Sequence, residues 1–406
     1  MGKLFVKKFG GTSVASVERI EAVSETLIEE IKLGNQVVAV LSAMGNQTEE
    51  LINLANQIDK EPHPREYDAL VSTGEQISVA LLAMSLQKKG YPAKSYSAHQ
   101  LGIKTNALHK QARILEVEVQ QLKNDIKSGV VPVVTGFQGM NEEGDITTLG
   151  RGGSDTTGVA LAVALEADEC HIYTDVDGVY TTDPRIYDKA KCLREIIFEE
   201  MLELSSMGAK VLQRRAVEYA SKYKMPIRVL SSFNKTVGTL VIEEEIGMER
   251  PLVTGISAVD NEAKLTIREV EDIPGIAAKI LGPISEAGID IDVIIQNVSA
   301  DNITDFTFTV DKSSLNQAQK ILHKISTNLG SGKIEVDSDI AKISVVGVGM
   351  RSHAGIAVKM FESLAKANIN IEMITTSEIK ISVVIKKDLM KKAVIALHDT
   401  FDLEKS

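Results

Sequence analysis

Three features of the chain predict an α/β protein built from two kinds of domain. Over about the first 240 residues, short β-branched runs alternate with stretches of helical period, the pattern of a mostly parallel sheet covered on both faces. Past residue 270 a block repeats itself at a constant offset of 80. The length, 406 residues, exceeds what one hydrophobic core usually serves, so two or three domains are expected.

LFVKKF (4–9) opens the first part as a strand. It leads into a helix whose apolar residues Val14, Val17, Ile20, Val23, Leu27 and Ile31 recur at spacings of three and four. QVVAVLSA (36–43) reads as a second strand, followed by helical patterns from Thr48 through Ile58 and from Gly74 to Lys89. VVPVVTGF (130–137), CHIYTDV (170–176) and PIRVLSS (226–232) read as further buried strands. In the second part, DIPGIAAKILGPISEAGIDIDVII (272–295) aligns without a gap with SHAGIAVKMFESLAKANINIEMIT (352–375), with eight identical columns out of 24. A strand precedes each copy (KLTIREV, KISVVGV) and another follows it (DFTFTV, KISVVI), so each forms a small sheet with helices on one side. The charged EEEIGMERP (243–251) reads as the linker.

Composition excludes several classes of function. The apolar 44% and charged 25% are ordinary for a globular protein. A net charge of −11 argues against nucleic-acid and membrane-surface partners, leaving only a local basic pocket for phosphate. Cys170 and Cys192 offer neither a disulfide framework nor metal-ligand spacing, so a reducing compartment and no protein metal site are expected. MGKLFVKK lacks a signal-peptide core, Val6 stands where a myristoylation motif wants Ser or Thr, and no run approaches the roughly 18 apolar residues of a membrane span. The expected location is the cytoplasm.

Ligands of such sheets bind at the carboxyl ends of strands, where this sequence collects polar, glycine-bearing turns. KKFGGTS (7–13) carries Lys8 to Gly10 and Gly11, and SAMGNQT (42–48) brings Ser42 and Thr48. TTLGRGGSDTTG (147–158) leads into a helix whose first N–H groups suit an anion, and YTDVDGVYTTDPR (173–185) strings Asp175, Tyr180 and Arg185 along one loop. No Walker A spacing and no dinucleotide fingerprint occurs, so a nucleotide site would be assembled from other parts. Read alone, Lys8 is equally an edge-strand lysine and Glu75 a helix-start acid complementing the dipole.

KKFGGTSV, SAMGNQT, STGEQIS (72–78), TTLGRGGSDTT, YTDVDGVYTTDPR and EEMLELSSMGAKVL (199–212) together resemble the signature blocks of aspartate kinases, in order and over essentially the whole chain. The resemblance implies an amino-acid kinase fold over residues 1–245, then a linker with a strand lent to the regulatory part (246–262). Two α+β ACT domains of βαββαβ ferredoxin-like form follow at 263–336 and 337–406. It implies transfer of the ATP γ-phosphoryl, as the Mg²⁺ complex, to the side-chain carboxylate of L-aspartate, the first step toward lysine, threonine and methionine. That carboxylate has an ordinary pKa near 4 and needs no general base, whereas two anions brought together need positive charge and N–H donors.

By the same resemblance Lys8, Asp155 and Lys210 are catalytic, Asp155 orienting the lysines or helping to hold Mg²⁺. Lys8, Gly10, Gly11, Ser154, Thr174, Asp175, Tyr180, Arg185 and Lys210 bind ATP. Ser42, Thr48, Glu75, Arg151 and Gly152 bind aspartate, Glu75 facing its ammonium and Arg151 its α-carboxylate, for which a guanidinium fork is suited. Lysine and threonine are the implied effectors, held by Asp272, Gly275, Ile276, Ala277, Gln296 and Asn297 in one copy and by His353, Ala354, Ile356, Ala357, Asn370, Ile371 and Thr376 in the other. A homodimer through the ACT domains is implied, or a heterotetramer with a separately translated regulatory subunit beginning near Met248. The alternatives are a kinase of glutamate or N-acetylglutamate, and an amino-acid sensor without catalysis. The Glu75–Arg151 pairing disfavours an N-acylated substrate, and intact Lys8, Arg151 and Asp155 disfavour the sensor.

Overall fold

In the computed structural model, LFVKKF forms the central strand β1 (Leu4–Phe9) and alternates its side chains between two covered faces. Phe5, Lys7 and Phe9 share one face, where Phe5 stacks on His171 and Phe9 on Tyr173. Lys8 points to the other, against a helix. The model describes residues 2–206, 211–244, 251–298, 302–329, 333–351 and 355–405. The chain divides into two units, Met1–Tyr180 with Cys192–Glu249 and Thr181–Lys191 with Arg250–Ser406.

In the first unit β1 is joined by β2 (Gln36–Leu41), β3 (Ala93–Tyr96), β4 (Val131–Thr135), β5 (Glu169–Thr174), β6 (Glu195–Ile197), β7 (Ile227–Ser231) and β8 (Thr239–Ile242). Their order is β6-β8-β7-β5-β1-β2-β4-β3, parallel except where β7 meets β8. β5 and β2 flank β1 on either side, so connections leave in opposite directions at its carboxyl end and open a crevice there. A second, four-stranded sheet is made by Ile103–Thr105, Ile114–Val117, Gln138–Met140 and Ile146–Thr148.

Helix α1 (Val17–Lys32) begins where the Ser16 side chain accepts a hydrogen bond from the Arg19 amide, one turn later than the apolar spacing suggests. Val14 consequently sits in the 3₁₀ turn before it. α1 buries Ile20, Val23, Leu27 and Ile28 against the sheet. Then follow α2 (Gln47–Ile58), α3 (Pro64–Val71), α4 (Thr73–Lys88), α5 (Gly153–Leu165) and α6 (Arg214–Tyr223). Nearly all of α5 is buried, and Gly158 lets it lie on the strand, since a Cβ there would stand 3.1 Å from that of Lys8. The segment Pro64–Lys88 holds no unbroken run of about 18 apolar residues, as expected from the sequence. By length and composition alone it passes for a membrane span, an 18-residue window within it having a mean hydropathy of 1.4. Its Leu, Val, Ile and Ala residues raise that mean, while polar residues interrupt the stretch and the segment holds the buried acids Asp68 and Glu75.

The second unit contains both repeats. The first forms β10 (Glu262–Glu271), α7 (Ile276–Glu286), β11 (Ile291–Val298), β12 (Ile303–Asp311), α8 (Leu315–Leu329) and β13 (Ile334–Asp337), with sheet order β11-β12-β10-β13. The second forms β14 (Ile340–Val346), α9 (Gly355–Lys366), β15 (Met373–Thr376), β16 (Lys380–Lys386) and α10 (Met390–Thr400). Its fourth strand comes from ahead of both copies: β9 (Gly255–Val259) pairs antiparallel with β14. Each sheet buries one face beneath its own helices. On the other faces Val293 of the first copy joins Ile340, Met373 and Val384 of the second.

The repeats meet reciprocally. Lys264 and Lys342, which open the strands KLTI and KISV, each pair with a carboxylate from the start of the other copy's second strand, Lys264 with Glu372 just ahead of β15 and Lys342 with Asp292 on β11. Glu372 and Asp292 are themselves equivalent at offset 80. Lys342 also meets Glu262 at 2.5 Å, and although burial alone would lower its pKa, the two carboxylates hold it above the usual lysine value.

Candidate active site

Lys8 leaves β1 near its carboxyl end, and its Nζ lies 2.5 Å from Oδ1 of Asp155 in the first turn of α5. Both side chains are buried. The pair is an ion contact rather than a well-angled hydrogen bond, since Oδ1 finds no hydrogen-bond partner among the described residues. A side chain on Gly10 would stand 3.6 Å from the Lys8 ammonium, so that ammonium borders the Gly10–Gly11 turn. The turn is fixed from two sides, by Gly10 N–H donating to the Tyr173 carbonyl (3.3 Å) and Gly45 N–H donating to that of Gly11 (3.0 Å).

The second bond draws SAMGNQT onto the first turn. Ser42 N–H donates to the Phe9 carbonyl (3.0 Å), while Ser78 on α4 donates to the carbonyl of Ser42 (2.9 Å). Glu75, one turn earlier on α4, accepts from the Ala43 amide at 3.2 Å through Oε1. Its Oε2 is buried without a partner among the described residues. Burial pushes the Glu75 carboxyl up to about 8 against the opposing pull of the Glu75 and Ala43 amides. Thr48 stands half-buried in the first turn of α2. Ser154 closes on Gly136 after β4, where an added Cβ would come within 2.7 Å of its Oγ.

Thr174 ends β5 beside β1, its hydroxyl donating to the exposed Asp175 at 3.1 Å. Tyr180 is half-buried and forms a β-bridge with Cys192; burial first, then the Cys192 and Asp177 charges, raise its phenol pKa. Lys8, Gly10, Gly11, Ser42, Glu75, Ser154, Asp155 and Thr174 thus gather at the carboxyl ends of β1, β2, β4 and β5. Arg151 stands exposed in the turn before α5, with no ion pair or hydrogen bond among the described residues, and Gly152 caps that helix with φ +72°. Arg185 belongs to the other unit, where Asp183 engages its guanidinium at 2.7 Å. Lys210 lies outside the described residues.

Sequence reading passed over several groups at the same strand ends. Thr135, the last residue of β4, is fully buried and its hydroxyl has no hydrogen-bond partner among the described residues; the same holds for Gln47 Oε1 beside Gly74. After β7, the Ser232 hydroxyl lies 2.5 Å from that of Ser13, and Arg19 donates to the Ser232 carbonyl while stacking 4.2 Å over Phe233. SSFN after PIRVL carries the same polar strand-end signal as the turns that were singled out. Lys7 turns away from the site to Glu30 (2.8 Å) and the Tyr173 hydroxyl (3.0 Å).

In the second unit Asp272 and Gln296 meet, the amide donating at 3.1 Å, next to Gly275 at the start of α7 with φ +91°. Ile276 and Ile356 are buried, Ala277, Ala357 and Ile371 half-buried, and Asn370 and Thr376 exposed. Asn297 instead lines a cavity of about 480 Å³ on the helix-free face, among Lys264, Arg268, Asp337 and Glu372. His353 and Ala354 lie outside the described residues, as does Met248.

This arrangement has known counterparts. Residues 3–231 match the amino acid kinase family, and residues 265–327 and 343–401 each match an ACT domain. An aspartate kinase of Stutzerimonas stutzeri is 58% identical over 402 residues, covering 99% of this chain and 98% of that protein. The chain belongs to the aspartate kinases. The crystal structure of Escherichia coli aspartokinase III in complex with aspartate and ADP, its R-state, matches 98% of this chain and 99% of its own at a TM-score of 0.81 and 26% identity. The complex of that enzyme with lysine and aspartate, its T-state, matches 98% of this chain and 99% of its own at a TM-score of 0.80. The chain thus carries the domain of an ATP-using amino acid kinase ahead of two ACT domains.

Proposed function

We propose that this aspartate kinase transfers the γ-phosphoryl of ATP to the side-chain carboxylate of L-aspartate, giving 4-phospho-L-aspartate for lysine, threonine and methionine synthesis. The observation that carries the reading is the convergence of Lys8 and Asp155 with the buried, half-satisfied Glu75 at neighbouring strand ends. A carboxyl raised by burial is stabilised as an anion by a ligand's ammonium, so Glu75 is the ammonium partner and selects a free amino acid over an N-acylated one. Arg151 receives the α-carboxylate, with Ser42, Thr48 and Gly152 beside it. The acceptor arrives ionised, so the protein supplies charge and orientation rather than a base. Lys8 and the amides of Gly10 and Gly11 neutralise the migrating group, with Ser154, Thr174, Asp175 and Tyr180 along the nucleotide; Lys210 and Arg185 are assigned there by family resemblance.

Mg²⁺ bound largely by phosphates needs only one or two protein carboxylates, a demand that Asp155 meets. Such an ion would screen the β- and γ-phosphate charges. Glu75 also argues against N-acetylglutamate as substrate. We read lysine and threonine as inhibitors acting at the starts of α7 and α9, in keeping with the lysine complex of the Escherichia coli relative. A cytoplasmic homodimer is proposed through edge strands β11 and β15, where the equivalent Ile294 and Ile374 are half exposed. ADP formation measured with aspartate, glutamate and N-acetylglutamate, then with lysine and threonine singly and together, tests the reading. Turnover of aspartate alone supports it, and turnover of none of the three would leave an amino-acid sensor.

A further inference from the structure

We infer that Asp68, on α3, is a positioning residue for the Arg151 turn and thereby sets the affinity for the amino-acid substrate. Its carboxylate is fully buried and contacts no part of the Lys8–Asp155–Glu75 cluster through any hydrogen bond. It gathers two remote segments instead. From one, the Lys110 amide donates at 3.0 Å and His109 Nδ1 lies at 2.8 Å; from the other, Thr148 donates its amide at 3.0 Å and its hydroxyl at 2.7 Å. Thr148 stands three residues before Arg151.

The clamp has a second jaw. Arg215 on α6 donates to the carbonyl of Leu149 at 2.8 Å and to that of Ala112 at 2.6 Å, gripping the same two segments. Between the jaws Ala112 N–H donates to the Thr148 carbonyl (2.9 Å), and Gly150 lies so close that a Cβ would come 2.8 Å from the Lys110 carbonyl. Lys110 has φ +66°, a conformation a lysine holds only when its surroundings impose it, and the Tyr67 ring lies 4.5 Å beneath its ammonium. A fully buried carboxylate from α3 and a half-buried guanidinium from α6 therefore fix the strand end that Arg151 leaves, while Arg151 itself has no other tether among the described residues. A guanidinium fork binds a carboxylate well only when its base is held, so displacement of the turn registers as lost substrate affinity.

The inference rests on the assignment of Arg151 to the substrate carboxylate, and the experiment separates the two. In the full-length enzyme, Asp68→Asn replaces one of the two accepting oxygens with an N–H donor that faces other donors. The aspartate KM should rise on the order of tenfold with the ATP KM within about twofold, and Asp68→Asn should add little in an Arg151→Lys background. Thr148→Val, which removes one hydroxyl, should show a smaller rise of the same kind and covers the case in which Asp68→Asn does not fold. An unchanged aspartate KM in folded Asp68→Asn or Thr148→Val, an equal rise in both KM values, or fully multiplicative effects with Arg151→Lys would overturn the role of Asp68. An unchanged aspartate KM in Arg151→Lys alone would overturn the Arg151 assignment instead.

Discussion

Glu75 changes its charge most readily when a cation arrives. With its carboxyl raised from 4.5 to about 8, folding takes up a proton between those values, so its burial costs stability progressively as pH rises through that window and costs nothing below it. Glu75→Gln, neutral at every pH, should match the parent in thermal midpoint near pH 5 and exceed it at pH 8. The parent's aspartate KM should fall as pH approaches 8, and that dependence should vanish in the variant. A parent more stable than Glu75→Gln at pH 8 would show that the carboxyl is not held neutral. Lys8 poses the opposite case, since its partner Asp155 is buried beside it. Lys8→Ala should lower kcat roughly a hundredfold with a modest change in aspartate KM, as loss of transition-state charge requires. Initial rates at saturating ATP decide it, and a near-native rate removes Lys8 from the chemistry.

Among the elements, α5 depends on one backbone conformation. Gly152 caps it at φ +72°, and a Cβ there would come 1.9 Å from Cγ of Gln213. Gly152→Ala combines left-handed strain with a collision, so the turn must move and Arg151 with it. We expect a destabilisation of about 1–3 kcal/mol and a raised aspartate KM, read by denaturant unfolding and kinetics. The strands β1, β2, β4, β5 and β7 were legible because buried parallel strands are short β-branched runs, and α1 because its apolar stripe has the helical period. α3 was not. PHPREYDALV puts one proline before the eight helical residues and another at the first of them, and the partners that bury Asp68 lie about 40 and 80 positions away. Neighbouring lysines posed a similar limit: 7 and 8 fall on opposite faces of β1, and only the packing of α5 decides which one faces the site. The duplication was plain in the sequence, yet the loan of β9 to the second copy's sheet required knowing which edge lacked a strand.

At the scale of the whole molecule, the course of the chain matters more than the linker. It crosses between the units not only near residue 250 but also at Tyr180/Thr181 and at Lys191/Cys192. The loop that begins with Thr174 and Asp175 therefore continues covalently into the unit that holds the ACT domains. There Thr181 accepts the Ile256 amide through its carbonyl (2.7 Å), its hydroxyl lies 2.9 Å from Nε2 of His398, and Tyr187 donates to Asp399 at 2.6 Å. Asp399 lies on α10, which packs with α9, and α9 begins one of the proposed effector sites. A shift of α9 on binding an effector would reach the proposed nucleotide loop through this anchored excursion, with no need for the connection near residue 250. Tyr187→Phe removes a single hydroxyl remote from Lys8 and Glu75. The basal rate should stay within about twofold, while the concentration of lysine or threonine needed for half inhibition should rise several-fold, because coupling energies of this kind are typically about 1–3 kcal/mol and one hydrogen bond is a fraction of that. Inhibition curves at fixed ATP and aspartate measure it. Unaltered inhibition in the variant would mean that the signal travels by another route.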